Sequence, residues 1–154
     1  MQDSIFRQYD IRGTVGSELI VEDAYDLGRA FAYCFLKENP ALKTIAIGMD
    51  GRVHSEVIKN ELIEGLRDSG LDVVFIGLCS TPVLYFSMFT QPFDAGLMVT
   101  ASHNGKEYNG VKICLGKTAF AGEKIQELKQ IFKDRKSVAA LSRGSLVDKP
   151  MVPS

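Results

Sequence analysis

The 154-residue sequence contains no tryptophan, only two histidines and only three cysteines. Cys34, Cys79 and Cys114 are odd in number and form no C-x-x-C pair, so we predict neither a disulfide framework nor a zinc site. We expect all three to be reduced core residues, as in the cytoplasm. No apolar run approaches the roughly 18 residues that a membrane span needs, and the charged start of the chain predicts no secretory signal.

An excess of charge of either sign is also missing. The 18 lysines and arginines stand against 19 aspartates and glutamates, giving a formal net charge of −1. A basic surface of the kind that binds nucleic acid is therefore not predicted. Because 45% of the residues are hydrophobic and 24% are charged, the chain can bury an ordinary core. These values predict a soluble cytoplasmic domain with neither nucleic acid nor a membrane as its partner.

Hydrophobic periodicity predicts that helices and strands alternate along the chain. Helical spacing of apolar residues predicts helices over residues 22–38, 55–68, 82–90 and 121–136. Short β-branched and apolar runs predict strands over residues 44–49, 71–76, 95–100 and 110–115. This order favours an α/β three-layer sandwich, with a mixed, mostly parallel four-stranded sheet flanked by helices. Residues 1–136 are predicted to form this domain, and residues 137–154 to form a linker or a truncated interdomain segment.

Polar residues cluster where two of the predicted strands end, and in such sheets ligands gather at the carboxyl ends of the strands. Asp50 to His54 and Thr100 to Asn109 follow strands, and a third polar cluster, residues 7–13, precedes the first helix. Guanidinium and ammonium groups suit phosphate, so these segments predict an anion site. The cations that could surround the anion are Arg12, Arg52, His103 and Lys112.

The residue types alone leave plainer interpretations open. Ser102 is more often a turn serine than a nucleophile, and His103 has no visible acid partner, which disfavours a serine hydrolase. Arg52 follows an ordinary Asp-Gly turn, and Lys112 could be the exposed residue of an edge strand. The glycine-rich motifs that cradle nucleotides are missing from the sequence. Residue types therefore predict a phosphate site and go no further.

Four motifs occur in order: FRQYDIRG at 6–13, GMDGR at 48–52, TASHN at 100–104 and YNGVKI at 108–113. With these motifs the sequence resembles, over essentially its whole length, the first of four domains of the α-D-phosphohexomutase family, in its bacterial phosphomannomutase/phosphoglucomutase branch. The resemblance implies an isomerase that interconverts hexose 1-phosphates and 6-phosphates. The implied route passes through an active-site phosphoserine and a bisphosphorylated sugar.

The same resemblance implies a role for eight residues. Ser102 would carry the covalent phosphate, and Arg12 would lie near it. Lys112 would be a general acid/base, and His103 would help to orient the serine and the sugar. The implied substrate or phosphate contacts are Tyr9, Arg52, Asn104 and Asn109. Arg52 is also expected to support the loop by hydrogen bonds.

The resemblance further implies Mg²⁺, held with the phosphate on Ser102 by an aspartate-rich loop that this sequence does not contain. We therefore expect the chain alone to be inactive and the remaining domains of the same protein to be its partners. Surface left exposed between domains could also allow self-association. Gly105 stands where the family usually has proline. The alternative is a non-catalytic module of the same fold that binds a sugar phosphate or a protein.

Overall fold

The computed structural model describes residues 1–152 and has the predicted α/β class. Its α-helices are α1 (Ala24–Glu38), α2 (Ser55–Asp68), α3 (Thr81–Thr90) and α4 (Glu123–Lys133). Its strands are β1 (Ile11–Thr14), β2 (Thr44–Met49), β3 (Asp72–Leu78), β4 (Ala95–Val99), β5 (Tyr108–Leu115), β6 (Thr118–Ala119) and β7 (Leu146–Asp148). All four predicted helices are present, and the four predicted strands correspond to β2 to β5.

Within residues 1–152 the sheet has seven strands, so the predicted count of four was too low. Its order is β1-β5-β4-β2-β3-β7, with β6 paired to β5. The strands β4, β2, β3 and β7 are parallel, and β5 runs antiparallel to β4, which confirms that the sheet is mixed. The three additional strands are short and lie at or beside the edges, where few apolar residues are needed. The hydrophobic pattern therefore gave no signal for them.

The side chains of the central strands alternate between two cores, one on each face of the sheet. Ile45 and Ile47 join the larger core, whereas Ala46 between them joins the smaller one. Buried residues of α1, α2 and α4 complete the larger core, and Leu84 and Met88 of α3 complete the smaller one. The period-two alternation of a strand thus places three helices on one face and α3 on the other. This arrangement is the three-layer sandwich.

Two glycines allow α1 and α2 to pack closely. A Cβ atom on Gly28 would lie 2.5 Å from the carbonyl oxygen of Leu62, and one on Gly65 would lie 2.2 Å from that of Tyr25. These contacts are to backbone atoms, which cannot rotate away as a side chain can. The close approach of the two helices therefore requires glycine at both positions.

The segment predicted to be a linker contributes to the sheet. Val73, Val74 and Phe75 of β3 pair in parallel with Leu146, Val147 and Asp148 of β7. Within this segment, the carbonyl oxygen of Gly144 also accepts a hydrogen bond from Arg67 Nε at 3.0 Å. Residues 146–148 thus form part of the sheet, while the division of the chain at residue 136 stays a prediction.

The three cysteines are free thiols. Burial raises the pKa of Cys34 to about 12 and that of Cys114 to about 11. Cys79 is half-buried, and desolvation also raises its pKa. Within residues 1–152, no helix is both long enough and apolar enough to cross a membrane.

Candidate active site

Residues 100–107, called the serine loop below, connect β4 to β5 and hold Ser102 in a left-handed conformation. Its φ is 56°, which is uncommon for a residue other than glycine. Such a conformation costs roughly 1–2 kcal/mol, so surrounding contacts must hold it in place. One of these contacts is the hydrogen bond from the Ser102 amide to Thr100 Oγ1 at 3.0 Å.

The Arg52 side chain donates hydrogen bonds to the backbone of the serine loop. Its Nη2 atom donates to the carbonyl oxygens of Ser102 at 2.8 Å and Asn104 at 2.9 Å. Its Nη1 atom donates to those of Gly105 at 2.7 Å and Tyr108 at 3.3 Å. One guanidinium group therefore fixes four carbonyl oxygens within seven residues. Because these four bonds use its terminal nitrogens, Arg52 acts on the loop and not as a free anion-binding group.

Asp50 orients Arg52 and joins it to the end of β4. Its carboxylate accepts hydrogen bonds from Arg52 Nε at 3.1 Å, Thr100 Oγ1 at 2.8 Å and Ser55 Oγ at 2.7 Å. Burial by itself would raise the pKa of Asp50, but the hydrogen bonds from Ser55, Thr100 and Arg52 outweigh it, so the pKa is lowered. The carboxylate is thus kept ionised at the base of the loop.

Asn109 lies in the interior, directly after the start of β5. Its side chain is fully buried, its Nδ2 donates to Ser55 Oγ at 3.0 Å, and its Oδ1 accepts from the Gly110 amide at 2.9 Å. Both polar ends of the amide are therefore used within the domain. The predicted contact of Asn109 with substrate or phosphate has no support in this geometry, and we assign the residue to positioning.

A cluster of two cations and one buried carboxylate lies beside the loop. Asp10 is 2% exposed, and its Oδ2 lies 2.8 Å from Arg12 Nη2 and 3.7 Å from Lys112 Nζ. Arg12 Nε also donates to Asp10 Oδ2, at 3.2 Å, and Arg12 Nη1 donates to Asn104 Oδ1 at 2.5 Å. One carboxylate thus holds two cations together, and Arg12 ties the cluster to the serine loop. The two cations, Arg12 and Lys112, exceed the single negative charge of Asp10 by one, and this excess of positive charge suits the binding of an anion.

The antiparallel pairing of β1 with β5 brings Arg12 and Lys112 to one face of the sheet. Arg12 is opposite Gly110, and Gly110 and Lys112 are two residues apart on β5 and therefore on the same face. A Cβ atom on Gly110 would lie 2.0 Å from the carbonyl oxygen of Ile11, so only glycine allows β1 to approach this closely. The glycine of the YNGVKI motif consequently sets the position of Arg12.

A cavity of about 540 Å³ opens above the serine loop on the face of the sheet that α3 covers. Ser102, His103 and Lys112 line one side of it together with Asp50 and Thr100. Met98, residues 79–80 of the connection after β3, and residues 81–82 at the start of α3 also line it. A hydroxyl, an imidazole and an ammonium group thus share one solvent-accessible space of sufficient size for a small polar molecule.

The structure brings together six of the eight residues singled out from the sequence. Ser102, His103 and Lys112 line the cavity, Arg12 donates a hydrogen bond to Asn104 of the serine loop, and Arg52 supports the loop. Two residues stand apart. Tyr9 is 75% exposed and does not line the cavity, and Asn109 is interior.

Three residues that organise this site were missed by sequence reasoning. Asp10 and Asp50 are the acids on which the cations are anchored, and Thr100 connects Asp50 to Ser102. Each is a common residue type, and its role depends on contacts between segments far apart in sequence. The available signal was an acid within two positions of an arginine, in both YDIRG and DGR. A half-buried arginine usually needs such a partner.

Gly105 does not adopt a left-handed conformation, so its backbone does not require glycine. A Cβ atom there would lie 2.7 Å from the carboxylate oxygens of Glu107, which belong to a flexible side chain. The freedom that glycine gives the loop is restricted by the Arg52 bond to its carbonyl oxygen.

Within the part of the chain that the structure describes, no group of three or more His, Cys, Asp or Glu side chains could hold a metal ion. Mg²⁺ prefers six oxygen ligands in octahedral geometry, and a phosphate on Ser102 could supply only some of them. These residues by themselves therefore do not fit a magnesium site, and we derive no step through the metal.

Comparison with known proteins identifies a family. The model for "Phosphoglucomutase/phosphomannomutase, alpha/beta/alpha domain I" matches residues 3–139. The phosphoglucomutase of Neisseria gonorrhoeae is 42% identical over 145 residues, which are 94% of this chain and 31% of that protein. The phosphomannomutase/phosphoglucomutase of Pseudomonas aeruginosa PAO1 is 42% identical over 127 residues, covering 82% of this chain and 27% of that protein. The chain thus spans about a third of the length of the curated relatives that it matches.

Solved structures of phosphoglucomutase/phosphomannomutase proteins also match this chain. The crystal structure of a phosphoglucomutase/phosphomannomutase family protein from Burkholderia thailandensis superposes with a TM-score of 0.88 at 33% identity, over 97% of this chain and 34% of that one. A structure described as a phosphomannomutase from Thermus thermophilus gives a TM-score of 0.81 at 25% identity, over 98% of this chain and 34% of that one. Both likenesses cover nearly the whole chain and confirm the fold class.

Proposed function

The chain belongs to the phosphoglucomutase/phosphomannomutase family as its α/β/α domain I, and we propose that Ser102 carries a phosphoryl group that it exchanges with a hexose phosphate. In the forward step, the bond between phosphorus and Ser102 Oγ breaks while a bond to a sugar hydroxyl oxygen forms. The hydroxyl proton leaves the sugar, and Oγ gains a proton. In the return step, the other phosphate of the bisphosphorylated sugar passes back to Oγ.

The observation that carries this proposal is the conformation of Ser102. A serine with positive φ is held above Arg52 by bonds to its own carbonyl oxygen and to those of its neighbours. A turn serine with no function has no need of a strained backbone that a glycine would relieve. Ser102 also lines a solvent-accessible cavity, and a nucleophile or phosphoryl carrier needs that access.

The cation cluster provides the charge that phosphoryl transfer requires. A phosphoserine carries about −1.5 to −2 charges near pH 7, and transfer depends chiefly on positioning and on neutralising charge on the transferred group. Arg12 and Lys112 together exceed the charge of Asp10 by one. Lys112 lines the cavity with Ser102 and is our candidate for the group that gives a proton to Oγ and later removes it. His103 and Asn104 would orient the sugar.

The complete mutase activity, including its second phosphate site and its metal, is a proposal about a protein of the relatives' full length. Isomerisation of a hexose phosphate needs a second phosphate site and ligands for Mg²⁺, and we assign both to domains that the relatives have and this chain does not match. We accordingly propose that the chain alone has no measurable mutase turnover. The exposed aromatic residues of α3, Phe86 at 63% and Phe89 at 62%, are our candidates for contact with those domains or with a second copy.

The proposal is tested with a chimeric protein in which this chain is joined to the remaining part of a relative. The chain would replace the matching segment of the Neisseria gonorrhoeae phosphoglucomutase, and turnover of glucose 1-phosphate would be measured. We expect activity in the chimera and at least a thousandfold loss in its Ser102→Ala variant, because the phosphoryl carrier is removed.

Ser80→Ala is the matched control, since Ser80 lines the same cavity and is not part of the serine loop. This control should keep activity within about tenfold of the unchanged chimera. A folded Ser102→Ala chimera that retains turnover would rule out the role of Ser102. A folded chimera without activity would rule out the assignment of the chain to this function.

A further inference from the structure

A second cavity, of about 240 Å³, lies between the start of α1 and the end of α4. Tyr25 and Arg29 of α1 line one side, and Phe132, Arg135 and Lys136 line the other. It shares no lining residue with the cavity above the serine loop, and the proposed function makes no use of it. We refer to it as the α1/α4 cavity.

Arg29 is a half-buried cation whose hydrogen bonds are incomplete. Its Nη1 donates to Tyr25 Oη at 3.2 Å and its Nη2 to the carbonyl oxygen of Val138 at 3.4 Å. Its Nε atom is buried and has no hydrogen-bond partner among the described residues. Both of its acceptors are neutral oxygens at long distances, and the Tyr25 hydroxyl donates its own proton to Asp68 Oδ2 at 2.6 Å. A guanidinium group in this state gains most from a charged acceptor.

The charge around the cavity is positive. Among the described residues that line it, Arg29, Arg135 and Lys136 are cations and Asp26 is the one carboxylate. Cations at a helix C-terminus interact favourably with the helix dipole, which by itself could explain Arg135 and Lys136. Arg29 lies near the start of α1, where the dipole gives no reason for a cation. The three cations therefore converge on a shared space for which an anion is the natural occupant.

The backbone at the cavity mouth does not explain the choice of arginine at position 135. Arg135 has a φ of 55°, and its amide donates to the carbonyl oxygen of Phe132 at 3.1 Å in closing α4. Glycine is the favoured residue in this conformation at a helix end. The arginine at position 135 is thus contrary to the preference of the local backbone.

We propose that the α1/α4 cavity binds a phosphate-class oxyanion, either inorganic phosphate or the phosphate group of a small monoester. Arg29 would bind it with the fork of its guanidinium group, and Arg135 and Lys136 would close the open side. The volume of about 240 Å³ accommodates a phosphate group with a small substituent. Occupation would link α1 to the end of α4 and, since only the folded chain has the cavity, would stabilise the fold.

The test is an NMR titration of the ¹⁵N-labelled chain with inorganic phosphate, at constant ionic strength maintained with chloride. We expect saturable shifts of the amides of Arg29, Arg135 and Lys136. The variant Arg135→Gly removes one charge and suits the left-handed backbone, so it should remain folded. It should weaken the affinity about tenfold, as expected for the loss of one charge-assisted hydrogen bond.

Lys124→Gln is the matched control, because it removes one charge from α4, the helix that Arg135 follows, and Lys124 does not line the cavity. Its affinity should equal that of the unchanged chain. A parallel titration with methyl phosphate separates the two sources: tighter binding of the ester indicates a monoester, and tighter binding of inorganic phosphate indicates the free ion.

Shifts at these amides that do not saturate would overturn the proposal, as would equal shifts with chloride alone. An equal loss of affinity in Lys124→Gln and Arg135→Gly would also overturn it, since binding would then reflect only the overall charge. The amide shifts report only on the α1/α4 cavity, so a failure of this proposal would leave the proposed role of Ser102 unaffected. The Ser102→Ala chain should bind phosphate at the α1/α4 cavity unchanged.

Discussion

At the scale of single residues, the site depends on a few side chains that hold others in place. Arg52 fixes four carbonyl oxygens around Ser102, Asp50 fixes Arg52, and Asp10 holds Arg12 and Lys112 together. The side chains that face the cavity are therefore only part of the site. Arg52 supports Ser102 and Asp10 supports Lys112, and both partners are at least half-buried, which is the arrangement that preorganised sites require.

The left-handed backbone of Ser102 leads to a prediction about stability. Replacing Ser102 by glycine should give a chain about 1 kcal/mol more stable than replacing it by alanine, because only glycine adopts positive φ without strain. Urea unfolding of the two variants measures the difference, and both lack the hydroxyl group.

The exposed Ser137 supplies the control, since its φ is not positive. At position 137 alanine should be the more stabilising of the two, because glycine gives the unfolded chain more freedom. Equal stabilities of the glycine and alanine variants at position 102 would mean that Ser102 is not strained.

At the scale of secondary-structure elements, the close packing of α1 on α2 predicts an unusual response to alanine. Gly28→Ala should destabilise the chain by about 1–3 kcal/mol, because the new Cβ atom meets the backbone of Leu62 at 2.5 Å. In an exposed helix the same change would stabilise by about 1 kcal/mol.

Asn60→Ala is the control, at an exposed position on α2, and should be neutral or slightly stabilising. Urea denaturation followed by circular dichroism reports both variants. A stabilised Gly28→Ala chain would contradict the close approach of the two helices.

The lowered pKa of Asp50, in the loop after β2, leads us to predict that the stability of the chain depends on pH. The pKa of Asp50 is lowered in the folded chain from its ordinary value of 3.8, so its contribution is fully present above that value. The contribution is lost as the pH falls below 3.8 through the lower pKa of the folded state. Asp50→Asn should therefore be destabilising at neutral pH, and the difference from the unchanged chain should shrink on acidification.

Urea unfolding of both chains at pH 7 and at about pH 3 measures this change. A difference that stays constant or grows as the pH falls would show that the carboxylate of Asp50 is not stabilised by its hydrogen bonds.

The elements also show what a sequence can predict and what it cannot. The runs TIAIGM and AGLMV and the stripe through Leu27, Phe31 and Phe35 are strongly apolar, so β2, β4 and α1 were predicted within about two residues at each end. The sequences of β1, IRGT, and β7, LVD, are short and offer no alternation long enough to recognise. The serine loop was found through its unusual density of polar residues. The polar segments found in this way include Asp10 and Thr100, but the roles of these two residues could not be predicted, because those roles come from contacts formed only after folding.

At the scale of the whole molecule, one α/β/α domain positions a complete serine loop and its cations. The strands β4, β5 and β1 bring Ser102, Lys112 and Arg12 to one face, and the cavity above them is open to solvent. The relatives are about three times as long as this chain. The division of labour that we propose is that this domain carries the phosphoryl group, while the other domains hold the metal and the rest of the substrate.

The most direct test of this account is to locate the phosphoryl group. The chimera with the Neisseria gonorrhoeae phosphoglucomutase would be incubated with a hexose 1,6-bisphosphate, digested and analysed by peptide mass spectrometry. We expect one phosphoryl group, on Ser102, and none on the corresponding peptide of Ser102→Ala. A phosphoryl group on another residue, or turnover with Ser102 unmodified under these conditions, would contradict the account.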